Sequence, residues 1–310
     1  MNRASVLLPA IGLVLAMLIW GSSFIAMKYA FQSYDPWVVV FGRMLVALLC
    51  FLPFLPRLWP GRDGFVDLPY LFLMVLMEPC LYFILEAFAL ENTTASQAGM
   101  ITSMLPLMVA VAAGFWLHER ICRYTWSGFF IAIAGAWWLS LSGESSAYAP
   151  APLLGNVLEF FAMVCAALYT VILKRVSRHY TPMQLTFFQA IAGTLFYFPV
   201  LFLPSTVLPA DLPLSPSFAV LYLGTLVSIG AYVLYSYGVS RIPATQASAF
   251  VNLIPVFSVV LGFLVLGERF TPEQFTASAV VFAGVLLSQW GGMRSRANED
   301  GGKPVELETG

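Results

Sequence analysis

Long apolar stretches separated by brief polar breaks make up almost the whole chain. Runs of about 20 mostly apolar residues, the length a helix needs to cross a bilayer, fall at 7–30, 36–58, 68–90, 95–117, 124–141, 153–176, 182–203, 216–239, 244–266 and 272–290. Breaks such as 91–94 and 240–243 leave room only for a reversal, so consecutive helices are expected to be antiparallel. The pattern predicts an all-α membrane protein with ten transmembrane helices.

The same pattern is written twice. Gln97, Ala98, Pro106 and the pair Glu119, Arg120 recur as Gln246, Ala247, Pro255 and Glu268, Arg269, each at an offset of 149. Upstream, Tyr34 and Pro36 match Tyr180 and Pro182, Phe41 matches Phe187 and Pro53 matches Pro199 at 146; downstream, Ala134 and Gly135 match Ala283 and Gly284 at 149 again. Such a period marks an internal duplication. It gives a first five-helix repeat over 7–141, a second over 153–291, and a polar stretch at 292–310 expected to be a disordered cytoplasmic tail. Because each half holds an odd number of helices, the second must enter the membrane from the opposite side. The repeats are therefore predicted to be inverted, the construction from which many secondary transporters form two related gates around one central site.

Composition agrees with this picture. The chain is 60% hydrophobic and only 10% charged, against about 25% charged in soluble domains. A net charge of −1 without a basic patch or acidic run argues against a nucleic-acid partner. Cys50, Cys80 and Cys165 lie in apolar spans and Cys122 in a connection, so neither a disulfide framework nor a metal site is offered and no cofactor is expected. Arg3 and the apolar run after it could open a signal peptide, but the run continues to Ala30 without a small-residue cleavage site and reads as a retained first helix. Lys and Arg collect on alternate connections: Arg3, Arg57, Arg62, Arg120, Arg123, Lys174, Arg175, Arg178, Arg241, Arg294, Arg296 and Lys303 on one side, only Lys28 and Arg269 on the other. By the positive-inside rule both termini face the cytoplasm, placing a multi-pass protein, monomer or homodimer, in a bacterial cytoplasmic (inner) membrane.

The ten spans, the Trp20-Gly21-Ser22-Ser23-Phe24 stretch ending in Lys28, and the doubled proline and Glu-Arg pattern resemble the EamA branch of the drug/metabolite transporter superfamily, over about residues 8–291. The resemblance implies a secondary carrier, commonly an exporter of amino acids or other small metabolites, with a cavity between the halves lined mainly by helices 1, 3, 4, 6, 8 and 9. The chain departs from the pattern at His118, where the second copy has Gly267, and in carrying Glu78 and Glu86 in helix 3, so no substrate is carried over.

Ionisable residues inside the spans are the candidates for chemistry, since a charge at the bilayer centre costs about 2.5–3.5 kcal/mol on the insertion scale. At about 1.5 Å per residue, Arg43, Glu86 and Glu159 fall at similar depths in the outer half. They are expected to form a cluster in which Arg43 neutralises Glu86 or Glu159 and leaves one carboxylate for a ligand amine or a proton; the plainer reading is a structural ion pair between helices. Glu78 lies nearer the midplane beside Pro79 and is the candidate proton-coupling group. On a continuous helix Glu78, Tyr82 and Glu86 share one face, expected to look into the cavity. Seven tryptophans, at 37, 59, 116, 126, 137, 138 and 290, fall near span ends as belts do. Trp20 alone is in mid-span, and with Ser23 it suggests a wall for an apolar or aromatic ligand part. Tyr169, Tyr232, Tyr235, Ser103 and Asn252 complete the candidate substrate-binding set. Pro106 and Pro255 leave a backbone carbonyl unpaired in mid-helix and are read, with Gln97 and Gln246 at opposite mouths, as gating residues. Gly128, Ala132 and Ala136, with Ala279 and Ala283, are expected to permit close helix packing.

An intramembrane enzyme needs a nucleophile with a base, or an acidic metal site. The two histidines, His118 and His179, lie in connections, and Asp35, Asp63, Asp67, Asp211 and Asp300 all lie outside the spans. No such set assembles at membrane depth, and a scaffold subunit would not need buried carboxylates. The reading is a non-enzymatic secondary transporter of a small-molecule substrate, an exporter of polar or zwitterionic metabolites such as amino acids, driven by protons or exchange. No GxxxxGK[ST] motif offers ATP drive. An importer or exchanger of another metabolite is the alternative.

Overall fold

The computed structural model describes residues 3–60, 65–117 and 123–300. They form ten helices: α1 (Arg3–Phe31), α2 (Pro36–Leu58), α3 (Leu68–Asn92), α4 (Ala95–Ala113), α5 (Arg123–Leu141), α6 (Pro152–Val176), α7 (Pro182–Phe202), α8 (Leu214–Arg241), α9 (Ala244–Leu266) and α10 (Pro272–Asp300). Eight of these, all but α5 and α10, are long and apolar enough to cross a membrane by length and composition. In α5 the Gly, Ser, Thr and Arg residues dilute the hydropathy, and among the described residues eight of the ten expected spans meet that measure. Glu119 and Arg120, with His118 and Cys122, lie outside the described residues, as do Arg62 and Asp63. Helix α10 runs to Asp300, so 292–300 are helical where the composition predicts disorder; Arg, Ala and Glu there are good helix formers and extend the helix before them.

Matching sequence signals start matching helices. Asp35 Oδ1 accepts the Trp37 backbone N–H at 2.9 Å, and its counterpart Thr181 accepts that of Gln184 at 3.3 Å, each capping a helix that begins with proline.

Packing follows the duplication. Helix α1 lies on α8 and α9 as α6 lies on α3 and α4, while α2, α4 and α5 each pack against their own counterparts α7, α9 and α10. These counterpart pairs run in opposite directions. Phe41 and Phe51 of α2 pack against Phe198 and Phe187 of α7, at 6.0 and 5.8 Å between centroids, so one number rises as the other falls. In α5 and α10, Gly128 abuts Gly284 and Ser288 while Gly135 abuts Ala277 and Val281; in α4 and α9, Gly99 abuts Ser258 and Gly262 abuts Ser96. Three antiparallel counterpart pairs mean that the halves lie upside down to each other.

The α5–α10 seam is built from Gly128, Ala132 and Gly135 against Ala277, Val281 and Gly284. Ala279 and Ala283, expected in this contact, are exposed instead. On a 3.6-residue helix the buried face passes through 277, 281 and 284, and 279 falls on the opposite side.

Candidate functional site

Proline decides the local geometry of the site. Pro79 excludes its predecessor from helical angles, and Glu78 takes φ −148°, ψ 117° inside α3, where widened turns cover Leu76–Leu81. The freed carbonyls are met by α7: Gln189 Nε2 donates to Glu78 O at 3.2 Å, and the Tyr197 hydroxyl donates to Pro79 O at 3.1 Å and to Cys80 O. Such a break persists in a membrane only where neighbours satisfy it. The predicted continuous helical face of Glu78, Tyr82 and Glu86 is therefore interrupted, because the angular rule fails across Glu78. All three side chains nevertheless reach the same cavity.

That cavity is walled by α1 (Trp20, Ser23, Phe24), α2 (Arg43), α3 (Glu78, Tyr82, Phe83, Glu86), α4, α6, α8 (Tyr232, Tyr235) and α9. The expected helices 1, 3, 4, 6, 8 and 9 all contribute, and α2 joins them through Arg43. Arg43 is 2% exposed. Its Nε donates to Ser228 Oγ at 3.0 Å, Nη1 lies 3.8 Å from Glu86 Oε2 and contacts Met27 Sδ at 3.5 Å, and the ring of Phe83 covers the guanidinium at 4.2 Å. Of the two carboxylates offered to Arg43 by the sequence, Glu86 is the partner; its other oxygen accepts from the Tyr82 hydroxyl at 3.0 Å. Glu159 is fully buried, with neither oxygen hydrogen-bonded, and stands behind the wall rather than in it.

On the opposite wall Tyr232 donates to Glu78 Oε1 at 2.5 Å. Trp20 packs on Tyr232 at 5.2 Å and on Tyr235 at 4.8 Å, and Tyr169 lies 6.5 Å from Tyr232. Four aromatic rings from α1, α6 and α8 thus form one cluster in the cavity, joined to the buried Glu78 carboxylate through Tyr232.

Ser103 and Asn252 do not line the cavity. Both sit where their helices break: α4 pauses between segments ending at Thr102 and starting at Leu105, and α9 passes through a tightened turn at Phe250–Leu253. Ser103 Oγ donates to Met100 O at 2.7 Å, and Asn252 Oδ1 is buried without a hydrogen bond. The breaks precede Pro106 and Pro255 by a few residues instead of falling on them, since each proline takes the second position of the helical segment that follows.

A second hollow opens at the end of the bundle where α3 turns into α4, lined by Lys28, Gln97, Glu144, Tyr148, Glu268 and Arg269 among others. No residue lines both hollows. Between them Asn156 Nδ2 donates to Gln97 Oε1 at 2.8 Å and to Ser140 Oγ at 3.1 Å, and Thr93 Oγ1 donates to Asn156 Oδ1 at 2.7 Å. At the rim, Gly267 takes φ +68° and ends α9. The turn delivers Glu268 to the start of α4, where its carboxylate accepts from the backbone N–H of Ala95 at 2.9 Å and of Ser96 at 2.8 Å. At the other end of the bundle Lys174 Nζ donates to the last carbonyls of α8, Val239 O at 2.7 Å and Ile242 O at 2.8 Å. Its counterpart Lys28, at the offset of 146, reaches Tyr148 O. Gln97 is 2% exposed, whereas Gln246 is solvent-exposed, so the two ends are not in equivalent states.

Sequence reasoning passed over Met163, Ala166 and Thr170 in the wall, though their spacing from Glu159 marks one face of α6. It also passed over Ser228, Asn156, Gln189 and Tyr197, polar residues that each have a partner more than 55 positions away in the chain.

Comparison with known proteins places this architecture. An uncharacterized transporter of Bacillus subtilis, YetK, is 28% identical over 90% of this chain and 86% of its own. A probable terminal-alkyne amino-acid exporter of Streptantibioticus cattleyicolor is 27% identical over 89% of this chain and 91% of its own. A solved crystal structure at 18% identity shares the fold, with a TM-score of 0.63, over 93% of this chain and 97% of that one. The EamA-like transporter family matches twice, over residues 7–141 and 153–290. A doubled match that spans nearly every described helix, together with inverted halves enclosing a polar cavity, makes this chain a multi-pass membrane protein of the EamA-like transporter family.

Proposed function

We propose that the protein is a secondary active carrier that exports small polar or zwitterionic metabolites, amino acids among them, from the cytoplasm by alternating access. The observation that carries this reading is the central cavity: Arg43, Glu78 and Glu86, all buried at membrane depth, meet in one hollow between two inverted halves. Intramembrane ionisable groups that face such a hollow mark substrate or ion pathways. The positive-inside count supports an outward α3–α4 end and cytoplasmic termini, and the transporter family fits a bacterial inner membrane.

Alternation then has a structural basis. The Glu268 carboxylate on α4, and the Gln97–Asn156 hydrogen bond beneath it, hold the outer end shut. By the offset of 149, Glu119 is the sequence counterpart of Glu268 and is assigned the corresponding role at the inner end. Glu78 is the group through which a proton would be exchanged for substrate. The amino-acid exporter among the relatives supports the substrate class.

The test is reconstitution of purified protein into liposomes loaded with a radiolabelled panel of amino acids and related metabolites, with and without a pH gradient. Efflux of a panel member that rises with the gradient is expected and is lost in Glu78→Gln. A protein that moves no member of the panel in either direction overturns the carrier reading.

A further inference from the structure

The cavity offers unequal terms to the two charged ends of a zwitterion. Among the described residues its wall contains one cationic side chain, Arg43, and two carboxylates, Glu78 and Glu86, with the unpartnered Glu159 behind them. Arg43 is largely engaged: Nε donates to Ser228, Nη1 contacts Met27 and pairs with Glu86 at 3.8 Å, and Phe83 covers one face of the guanidinium, which leaves Nη2 beside a carboxylate already in place. A ligand carboxylate arriving there would displace or abut the Glu86 carboxylate, placing two negative charges together in a medium that screens them poorly. Glu78 is the reverse case. One oxygen is held by Tyr232, and the other carries no hydrogen bond from any described residue. Its partner Tyr232 packs against Trp20 and Tyr169, and Trp20 against Tyr235, an aromatic cluster in the same cavity whose electron-rich ring faces attract a cation without donating a competing charge.

We infer that the site reads the ammonium and not the carboxylate of its ligand, so that its substrate class is organic amines with an apolar or aromatic body, bound with the ammonium on Glu78 inside the Trp20, Tyr169, Tyr232 and Tyr235 rings. An amino acid is then accepted as an amine, and its carboxylate is a hindrance. This rests on the carrier reading only in that both use the same cavity.

Isothermal titration of the purified full-length protein in detergent separates the possibilities with three probes of one shape: phenethylamine, phenylalanine and 3-phenylpropionate. Phenethylamine is expected to bind at least tenfold more tightly than phenylalanine, with no heat from 3-phenylpropionate. In Glu78→Gln the amine loses at least tenfold in affinity while the neutral isostere 2-phenylethanol binds as before, a control that also reports an intact cavity. Phenylalanine or 3-phenylpropionate binding as tightly as the amine overturns the inference, and so does an absence of binding by all three charged probes. Liposome flux keeps the two readings apart. Amine binding without translocation upholds this inference and removes the carrier function, whereas flux confined to compounds bearing a carboxylate removes this inference and keeps the carrier.

Discussion

The carboxylate of Glu268, in the second repeat, accepts the backbone N–H of Ala95, in the first, at 2.9 Å. With its other oxygen on Ser96, one side chain from the end of α9 satisfies two of the free donors at the start of α4. The contact joins the halves across the rim of the α3–α4 end and places a negative charge on the positive end of a helix.

Removing that charge should loosen this end. Loss of an N-terminal cap costs about 1–2 kcal/mol, so Glu268→Ala is expected to raise the open population of this end by about five- to thirtyfold. In a cysteine-free background, a cysteine introduced at the buried cavity residue Ser23 should then react faster with a membrane-impermeant maleimide. An unchanged labelling rate would show that Glu268 does not hold the end closed.

Arg43 and Glu86 are expected to behave as a buried pair. Breaking such a pair from one side leaves an uncompensated charge and costs about 3–5 kcal/mol. Arg43→Gln and Glu86→Gln should each lower the thermal unfolding temperature in detergent, and the double variant should recover part of the loss. Additive losses in the double variant would mean that the 3.8 Å contact carries no coupling.

The α5–α10 seam should not tolerate side chains. A Cβ at Gly128 would lie 2.3 Å from Gly284 O, and one at Gly284 would lie 2.5 Å from the Ala132 backbone N. Gly128→Leu or Gly284→Leu is expected to cost at least the 1–3 kcal/mol typical of overpacking, while Ala279→Leu on the exposed face leaves stability unchanged. Differential scanning fluorimetry compares the three; equal transitions would show that the helices separate freely.

A pH dependence is expected at the connection before α3. Asp67, outside the membrane-spanning segments, accepts from Arg175 Nε at 3.2 Å and Nη2 at 3.3 Å. The hydrogen bonds from Arg175 hold its carboxyl below the usual carboxylate range. A carboxyl with a depressed folded-state pKa contributes stability above its unfolded value, and loses it as pH falls through the folded value. Acidification below about pH 4 should therefore free this connection, read as faster limited proteolysis near 61–67 at acid pH with an acid-active protease. Asp67→Asn should show the fast cleavage at every pH. A wild-type rate that does not change with pH would rule the contact out as a tether.

Much of the candidate site can be read from residue type and depth alone. Trp20, Arg43, Glu78, Tyr82, Glu86, Tyr169, Tyr232 and Tyr235 are chosen because charged and polar groups are expensive in lipid and must face inward, and the folded chain brings all of them to one cavity. Ser103 and Asn252 fail for a reason equally physical. They occupy helix breaks, where Ser103 bonds to its own backbone, and no spacing rule distinguishes that from facing a cavity. Glu159 shows the same limit: its depth places it beside Glu86, but only packing decides that it stands behind the wall with no hydrogen bond.

The sequence by itself determined that this is a doubled helical membrane protein, since hydropathy, helix length and the repeated Gln, Pro and Glu-Arg signals act locally and add along the chain. Tertiary structure alone decided who meets whom: Tyr232 on Glu78, Arg43 on Glu86, Glu268 on α4, and Gln97 buried at one end while Gln246 is exposed at the other. The two copies share their Gln and Pro signals, but Gln97 is buried against Asn156, 59 positions away, while Gln246 is exposed. Such pairings depend on how the helices dock, and they leave no trace in the pattern of polar and apolar positions.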